Sequence, residues 1–274
     1  MITNVLINGE VSDGRIPVTD STVLRGDGCF EVIRSYGGAP FATEEHLDRL
    51  HASASALLID LPARRLLREW VEKTAADIGD GVVRIVVSRG SALPGGDDPP
   101  RVVVFGHDVE PVTGPLRLLP VTAPWHGAGI GWDLAGSKTT SYAPNMSASR
   151  RARLDGFDDA VLMTPDETVL EGPTFAVAWV RGGVVETPTL DLGILDSITR
   201  RIVIEVARSS GIDVVEGVWS LAALDGATEV MAWSTVREVQ AVETVGSRSW
   251  RPGPVTAELA SRFGERTGWG TRGH

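Results

Sequence analysis

A segment rich in glycine and proline divides this sequence into two parts. Between residues 122 and 136 the regular alternation of apolar and polar side chains stops, and turn-forming residues take its place. Segments of this composition commonly join domains. We therefore expect a small N-terminal α/β domain over residues 1–121, an interdomain linker over residues 122–136 and a larger C-terminal domain over residues 137–274.

Strand and helix patterns alternate in the N-terminal part. Val5–Val11 contains the turn dipeptide Asn8-Gly9, which predicts a hairpin. Side chains alternate along Cys29–Tyr36 with a period of two, which predicts a strand. Thr43 is predicted to be the N-cap of a helix whose leucines follow at helical spacing. One face of the predicted strand carries Phe30, Val32, Arg34 and Tyr36, and the other carries Glu31, Ile33 and Ser35.

The C-terminal part shows the same alternation, so the whole chain is predicted to be of the α/β class. A serine after an aspartate, Asp196-Ser197, announces one of its helices. Predicted helices cover Asn145–Leu154, Ile198–Arg208 and Val255–Phe263, and predicted strands cover Ala160–Met163, Phe175–Arg181 and Glu229–Ser234.

The balance of charge excludes several classes of function. Lysine and arginine total 26 residues against 36 aspartates and glutamates, a formal net charge of −10. A nucleic-acid-binding protein is expected to present a basic face instead. The sequence shows no apolar run of the ~20 residues that span a bilayer and no signal-peptide pattern. A single cysteine excludes an internal disulfide and indicates a reducing compartment. These features predict a soluble cytoplasmic enzyme without a membrane or nucleic-acid partner.

Familiar catalytic motifs are absent from the sequence. No histidine lies four residues from another and no Cys/His cluster is present, so we expect no metal. The sequence also lacks G-x-S-x-G and a Walker A motif. Gly127-Ala128-Gly129-Ile130-Gly131 precedes Trp132-Asp133 rather than a helix, which argues against a dinucleotide-binding loop.

Lysine is rare in this chain. Only Lys73 and Lys138 are lysines, and the other 24 basic residues are arginines. An ammonium group can be deprotonated and act as a nucleophile, whereas a guanidinium stays protonated. Lys73 lies on a predicted solvated helix face. Lys138 follows the linker, and composition alone leaves open whether it reflects chemistry or codon drift.

Five motifs together resemble a known family. They occur in the order Arg25–Glu31, His46–Leu50, Ser137–Tyr142, Leu170–Pro173 and Ile198–Arg200. In this order they resemble the fold-type IV pyridoxal-phosphate enzymes, over a region from about Leu6 to Val242. That group comprises branched-chain, D-amino-acid and (R)-amine transaminases and aminodeoxychorismate lyases. The resemblance implies pyridoxal 5'-phosphate as cofactor, in a cleft between two α/β domains.

The resemblance also implies roles for individual residues. Lys138 would form the Schiff base with the cofactor and move the substrate proton. Glu171 would face the pyridine nitrogen and Arg49 the phosphate. Tyr142 would bind the phenolic oxygen of the cofactor. The remaining phosphate ligands would be Ile198, Thr199, Ser234 and Thr235. From spacing alone, Arg49 is better explained as an exposed helix arginine. The alternatives for the other two are a surface carboxylate at a strand end for Glu171 and a core tyrosine for Tyr142.

The same resemblance suggests a substrate pocket. Its expected wall comprises Phe30, Val32, Arg34, His107, Trp125 and Arg237, with Arg34 or Arg237 binding a carboxylate. Glu-Gly-Pro-Thr-Phe at residues 171–175 looks like (R)-amine and unusual D-amino-acid transaminases. Gly26–Phe30 and Val87–Gly90 look more like aminodeoxychorismate lyases.

We therefore expect a homodimeric transaminase with a ping-pong mechanism, an amino-acid donor and a 2-oxo acid acceptor. D-Amino acids or (R)-amines are favoured as donors. The alternative is an aminodeoxychorismate lyase that releases pyruvate and 4-aminobenzoate. A third hypothesis is a non-catalytic pyridoxal-phosphate-binding protein, against which the presence of Lys138, Glu171 and Arg49 counts.

Overall fold

The computed structural model describes residues 2–93, 98–110 and 112–268. The chain forms two compact units. The first contains Met1–Pro111 and Ser137–Tyr142, and the second contains Val112–Gly136 and Ala143–His274.

The first unit is built on an antiparallel sheet. Its strands are ordered β2-β1-β6-β5-β3-β4, and the predicted hairpin around Asn8-Gly9 joins β1 to β2. Helices α2 and α3 pack on this sheet and bury a core that includes Ile33, Leu47, Leu50 and Leu67. The elements are β1 (Val5–Ile7), β2 (Glu10–Ser12), α1 (Ser21–Arg25), β3 (Gly28–Tyr36), β4 (Ala39–Pro40), α2 (Thr43–Ala56), α3 (Arg64–Ile78), β5 (Gly81–Ser88) and β6 (Arg101–His107).

The second unit contains a mixed sheet. Its order is β11-β10-β9-β12-β13-β7-β8, and β14 pairs with β13. The pairs β10–β11, β13–β7 and β7–β8 are parallel. Trp179 and Trp233 are fully buried. The elements are β7 (Leu116–Thr122), α4 (Ala143–Leu154), β8 (Asp159–Met163), β9 (Ala176–Arg181), β10 (Val184–Pro188), α5 (Ile198–Ser209), β11 (Val214–Gly217), β12 (Glu229–Ser234), β13 (Glu238–Val245), β14 (Arg248–Ser249) and α6 (Pro254–Thr267).

Residues 122–136, expected to be an interdomain linker, belong to the second unit. The division of the chain differs from the expected boundaries at two further places. Strand β7 belongs to the second unit, because it pairs in parallel with β8 and β13. Ser137–Tyr142 belongs to the first unit, because its backbone bonds to β3. Both differences arise from pairings between segments far apart in the sequence, which the composition of residues 122–136 does not reveal.

The start of α2 also differs from the expectation. Thr43 is the first residue of the helix and not its N-cap. Ala42 occupies the N-cap position with a φ of 54°, and no side chain caps the helix. Thr43 Oγ1 donates instead to the carbonyl of Pro40 at 3.3 Å.

No helix within the described residues is long and apolar enough to cross a membrane.

Candidate active site

The segment Ser137–Tyr142, here called the lysine segment, is attached to strand β3. The backbone N–H of Phe30 donates to the Lys138 carbonyl at 3.0 Å, and that of Thr140 donates to the Gly28 carbonyl at 2.8 Å. Cys29 and Thr139 form an antiparallel bridge between these two bonds. The position of Lys138 is therefore set by the backbone of a sheet strand.

Helix α2 adds a further contact to the lysine segment. The backbone N–H of Lys138 donates to Ser53 Oγ at 3.0 Å, and Ser53 is buried. Ser53 lies on α2, which packs on this sheet. The main chain of Lys138 is therefore bound by β3 through its carbonyl and by α2 through its amide.

Two glycines next to the lysine segment, Gly26 and Gly28, are closely packed. A Cβ at Gly28 would lie 2.2 Å from the Val87 carbonyl oxygen, which belongs to the sheet backbone and can move only if a strand shifts. Gly26 has a φ of 66°, and a Cβ there would lie 2.7 Å from Ser141 Oγ. The carbonyl of Gly26 accepts from Thr140 Oγ1 at 2.7 Å and from Ser141 Oγ at 2.9 Å. The Gly-Asp-Gly sequence is thus required by close packing.

Aromatic rings surround the Lys138 amine. Nζ lies 4.4 Å from the ring centroid of Phe30 and 5.5 Å from that of Tyr142. The two rings meet edge to face, with centroids 5.3 Å apart and planes at 82°. A cation is attracted by ring faces at these distances. The structure therefore brings together three residues that the sequence assigned to one site.

Arg49 forms a buried network with Glu31 and His46. Its Nε donates to Glu31 Oε1 and its Nη2 to Glu31 Oε2, both at 2.7 Å. His46 Nδ1 lies 2.8 Å from Glu31 Oε2. Burial acts to raise the pKa of Glu31, but Arg49 and His46 outweigh it and lower this pKa to about 2. Burial also lowers the pKa of His46. Glu31 is therefore ionised at any pH well above 2, and its carboxylate is paired with Arg49.

In the second unit, two groups lie next to the Glu171 carboxylate. The backbone N–H of Leu195 lies 3.3 Å and 3.4 Å from the two carboxylate oxygens. His126 Nε2 lies 3.6 Å from Oε1. The Glu171 side chain is 14% exposed, so it is neither a surface carboxylate nor fully enclosed. Neither Leu195 nor His126 was identified from the sequence, because each lies more than 20 residues from Glu171 along the chain.

The N-terminus of helix α5 presents the backbone of Ile198 and Thr199. Ser197 caps the helix by accepting from the Arg200 N–H at 3.3 Å. The first amides of an α-helix have no acceptor within the helix, and the helix dipole favours an anion there. Ile198 and Thr199 therefore lie at a place suited to a phosphate.

Ser234 is the last residue of β12, and Thr235 and Arg237 lie in the turn that follows it. Ser234 Oγ accepts from the Arg237 N–H at 3.1 Å. The Arg237 guanidinium contacts Gln240 Oε1 at 3.1 Å and Asp159 Oδ2 at 3.4 Å. Burial lowers the pKa of Arg237 despite the nearby Asp159 carboxylate. The guanidinium proposed for a substrate carboxylate is thus already paired with a protein carboxylate.

The other expected pocket residues have partners of their own. Arg34 donates to the Ser35 and Gly81 carbonyls at 2.7 Å and 2.6 Å. Val32 is half-buried on the strand face that also carries Phe30. His107 Nε2 accepts from Arg84 Nε at 2.9 Å, and His107 Nδ1 lies 2.7 Å from the Asp108 carbonyl oxygen. Trp125 Nε1 donates to Asn145 Oδ1 at 3.0 Å.

A pair of charged residues joins two of the sequence motifs. Arg89 Nε donates to Asp27 Oδ2 at 2.6 Å, and Arg89 Nη2 donates to Asp27 Oδ1 at 3.1 Å. The same guanidinium donates to the carbonyls of Leu57 and Leu58. The Gly26–Phe30 and Val87–Gly90 segments are therefore neighbours in the structure.

The chain is an α/β protein with the fold of the fold-type IV transaminases. Residues 28–245 match the amino-transferase class IV family. The chain belongs to this family, whose members depend on pyridoxal phosphate.

Curated relatives within the family have different activities. A D-alanine aminotransferase of Listeria monocytogenes is 31% identical, over 97% of this chain and 94% of the relative. An aminodeoxychorismate lyase of Bacillus subtilis is also 31% identical, over 86% of this chain and 84% of the relative. The family is therefore shared by relatives that transfer an amino group and by relatives named as lyases.

Solved structures show the same fold. A fold IV transaminase from Curtobacterium pusillum is 28% identical, with a TM-score of 0.87 over 96% of this chain and 99% of its own. A branched-chain aminotransferase from Thermoproteus uzoniensis is 25% identical, with a TM-score of 0.87 over 98% of this chain and 97% of its own. The similarity therefore extends over nearly the full length of each chain.

Proposed function

We propose that this enzyme is a transaminase that takes its amino group from D-amino acids or (R)-amines, passes it to a 2-oxo acid and follows a ping-pong mechanism. The observation that carries the transaminase proposal is the attachment of Lys138 to β3 beneath the rings of Phe30 and Tyr142. The preference for D-amino acids is supported by the Listeria relative and by the Glu-Gly-Pro-Thr-Phe sequence at residues 171–175.

The donor set of the chain fits pyridoxal phosphate. An aldehyde requires an amine, which Lys138 supplies. A phosphate requires cationic and N–H donors, which Arg49 and the first turn of α5 supply. We propose that Tyr142, Glu171, Ser234 and Thr235 complete this set, with Glu171 opposite the pyridine nitrogen.

The proposed chemistry divides between cofactor and protein. When bound, pyridoxal phosphate supplies an electron sink and a carrier for the amino group. Lys138 Nζ takes up the proton of the substrate Cα and returns it. Glu171 keeps the pyridine nitrogen protonated, and Leu195 and His126 hold the Glu171 carboxylate for this purpose.

The first experiment tests the role of Lys138. The purified protein, supplied with pyridoxal phosphate, should show a visible absorption band that is lost in Lys138→Ala. Lys73→Ala is the matched control, because Lys73 is the other lysine of the chain and is exposed on α3. A wild-type protein without the band would contradict cofactor binding, and an unchanged band in Lys138→Ala would contradict the assigned lysine.

The second experiment tests the donor. D-Alanine, L-leucine and (R)-1-phenylethylamine are each mixed with the loaded enzyme, without an acceptor, and the visible band is followed. A ping-pong enzyme loses the band in this half-reaction and regains it when a 2-oxo acid is added. We expect D-alanine or the (R)-amine to bleach the band faster than L-leucine. Faster bleaching by L-leucine would assign branched-chain specificity instead.

A lyase is the second candidate function. It is favoured by the Asp27–Arg89 ion pair, which joins the two segments that look like aminodeoxychorismate lyases, and by the Bacillus relative. Release of pyruvate and 4-aminobenzoate from aminodeoxychorismate, with no donor able to bleach the band, would establish the lyase and exclude the transaminase.

We also propose that the enzyme is a homodimer. Apolar side chains close together in the sequence of the first unit are exposed, among them Val18 at 78% and Val23 and Leu24 at 54% each. Exposed apolar clusters of this kind commonly mark interfaces between protein chains. Light scattering after size exclusion should give twice the chain mass, and a monomer would contradict the proposal.

A further inference from the structure

Glu31 is an unusual residue for its position. It lies on the buried face of β3 between Cys29 and Ile33, and all three side chains are fully buried. A buried carboxylate is strongly unfavourable unless charged or hydrogen-bonding partners compensate. Both carboxylate oxygens of Glu31 form hydrogen bonds with α2, to Arg49 and His46, and these bonds compensate for the burial of the charge.

The geometry of the Arg49 pair fixes the plane of the guanidinium. Nε and Nη2 each donate to a different oxygen of Glu31, both at 2.7 Å. Two parallel bonds of this kind restrict rotation more than a single contact would. The orientation of the guanidinium is therefore set by the carboxylate of Glu31.

Helix α2 links this pair to Lys138. His46, Arg49 and Ser53 are spaced so that they lie along one side of the helix. His46 and Arg49 bind Glu31, and Ser53 accepts from the Lys138 amide. Glu31 and Lys138 are themselves tied through β3 and the lysine segment. The guanidinium and the amine are therefore held by one framework of strand, helix and lysine segment.

We propose that Glu31 is a positioning residue that holds Arg49 in the orientation needed to bind the phosphate of the cofactor. This inference rests on the proposed function, in which Arg49 is a phosphate ligand. Glu31 cancels the charge of Arg49, so its contribution is orientation and not attraction. The protein is then expected to discriminate pyridoxal phosphate from pyridoxal, which has the same aldehyde and no phosphate.

The test compares two ligands in each variant. Apo-protein is titrated with pyridoxal phosphate and, separately, with pyridoxal, and the ratio of the two dissociation constants is measured. Glu31→Asp keeps the charge but shortens the side chain. We expect it to reduce the preference for the phosphorylated ligand by roughly tenfold, with pyridoxal affinity unchanged, as loss of a charge-assisted hydrogen bond would. Glu72→Asp, at an exposed site on α3, is the matched control.

Two results would overturn the proposal. An unchanged ratio in Glu31→Asp would show that the position of the carboxylate is unimportant. A higher preference for pyridoxal phosphate in Glu31→Gln would show that Glu31 acts only by its charge. We expect Glu31→Gln to reduce the preference, because the amide can accept but cannot reproduce both bonds. Wild-type protein that binds neither ligand would instead contradict the proposed function.

A double variant separates positioning from general damage to the fold. If Glu31 acts through Arg49, then Glu31→Gln combined with Arg49→Met should lower the ratio no further than Arg49→Met alone. An additional loss in the double variant would contradict action through Arg49. Circular dichroism and thermal melting of every variant verify that the compared proteins are folded.

Discussion

The backbone N–H of Phe30 donates to the carbonyl of Lys138 at 3.0 Å, although the two residues lie 108 positions apart. This bond joins the lysine segment to β3. The backbone of Lys138 is therefore held by a strand of the sheet, and this attachment determines where its amine lies.

Gly28→Ala should displace the lysine segment. The new Cβ would lie 2.2 Å from the Val87 carbonyl oxygen, so β3 or β5 must shift. We expect the free energy of unfolding to fall by at least about 2 kcal/mol, and binding of pyridoxal phosphate to weaken. Urea denaturation and cofactor titration measure the two effects. Gly131→Ala, where a Cβ meets no atom within 4 Å, should leave both nearly unchanged.

The Glu31 network should make stability depend on acid pH. The pKa of Glu31 is lowered from 4.5 to about 2, so its contribution is complete above pH 4.5 and is lost as the pH falls towards 2. Urea denaturation between about pH 6 and pH 3 should show a steeper loss of stability in wild type than in Glu31→Gln/Arg49→Met. Equal slopes would show that Glu31 has the same pKa in the folded and unfolded chain.

Glu229 should be essential to the start of α6. Its carboxylate accepts from the Val255 and Thr256 amides at 3.1 Å and 2.7 Å, and no side chain of the helix itself provides a cap. Glu229→Gln should lower the free energy of unfolding by roughly 2 kcal/mol. The buried NH2 group of the glutamine would then face the amide donors of Val255 and Thr256. Glu258→Gln, which removes an exposed ion pair on the same helix, should cost less than about 1 kcal/mol. Equal costs would rule out the capping role.

Glu171→Gln should slow the chemistry more than it weakens binding. An amide cannot keep a pyridine nitrogen protonated, so we expect the donor half-reaction to slow by about 100-fold or more. The visible band should persist, since Lys138 is unchanged. Stopped-flow absorption measures the rate. Glu167→Gln, at an exposed carboxylate nearby, is the control and should react like wild type. A wild-type rate in Glu171→Gln would remove Glu171 from the proposed site.

The sequence was most informative where a contact depends on local pattern. Alternation along residues 29–36 correctly placed Glu31 and Ile33 on one face of a strand, and the structure buries both. The Asp196-Ser197 signal correctly announced α5, with Ser197 as its cap. Both features depend on neighbours within a few residues.

Contacts between distant segments were not predictable in the same way. His126 and Glu171 are 45 positions apart, and neither is marked by a motif that names the other. Glu31 could have been recognised as unusual, because a carboxylate in an otherwise buried strand face needs a partner. Its partner Arg49 was expected to face the cofactor phosphate, and its pairing with Glu31 depends on how α2 packs on β3.

The position of the lysine segment limits how the protein can be divided into two fragments. The chain passes from the first unit to the second, returns for Ser137–Tyr142 and leaves again. A break after residue 111 would separate Lys138 from the strand that holds it. A break after residue 142 would carry β7 away from its partners β8 and β13. Each of these two cuts separates segments that pair with each other. We therefore expect the enzyme to re-form from two such fragments only when both are present together during folding.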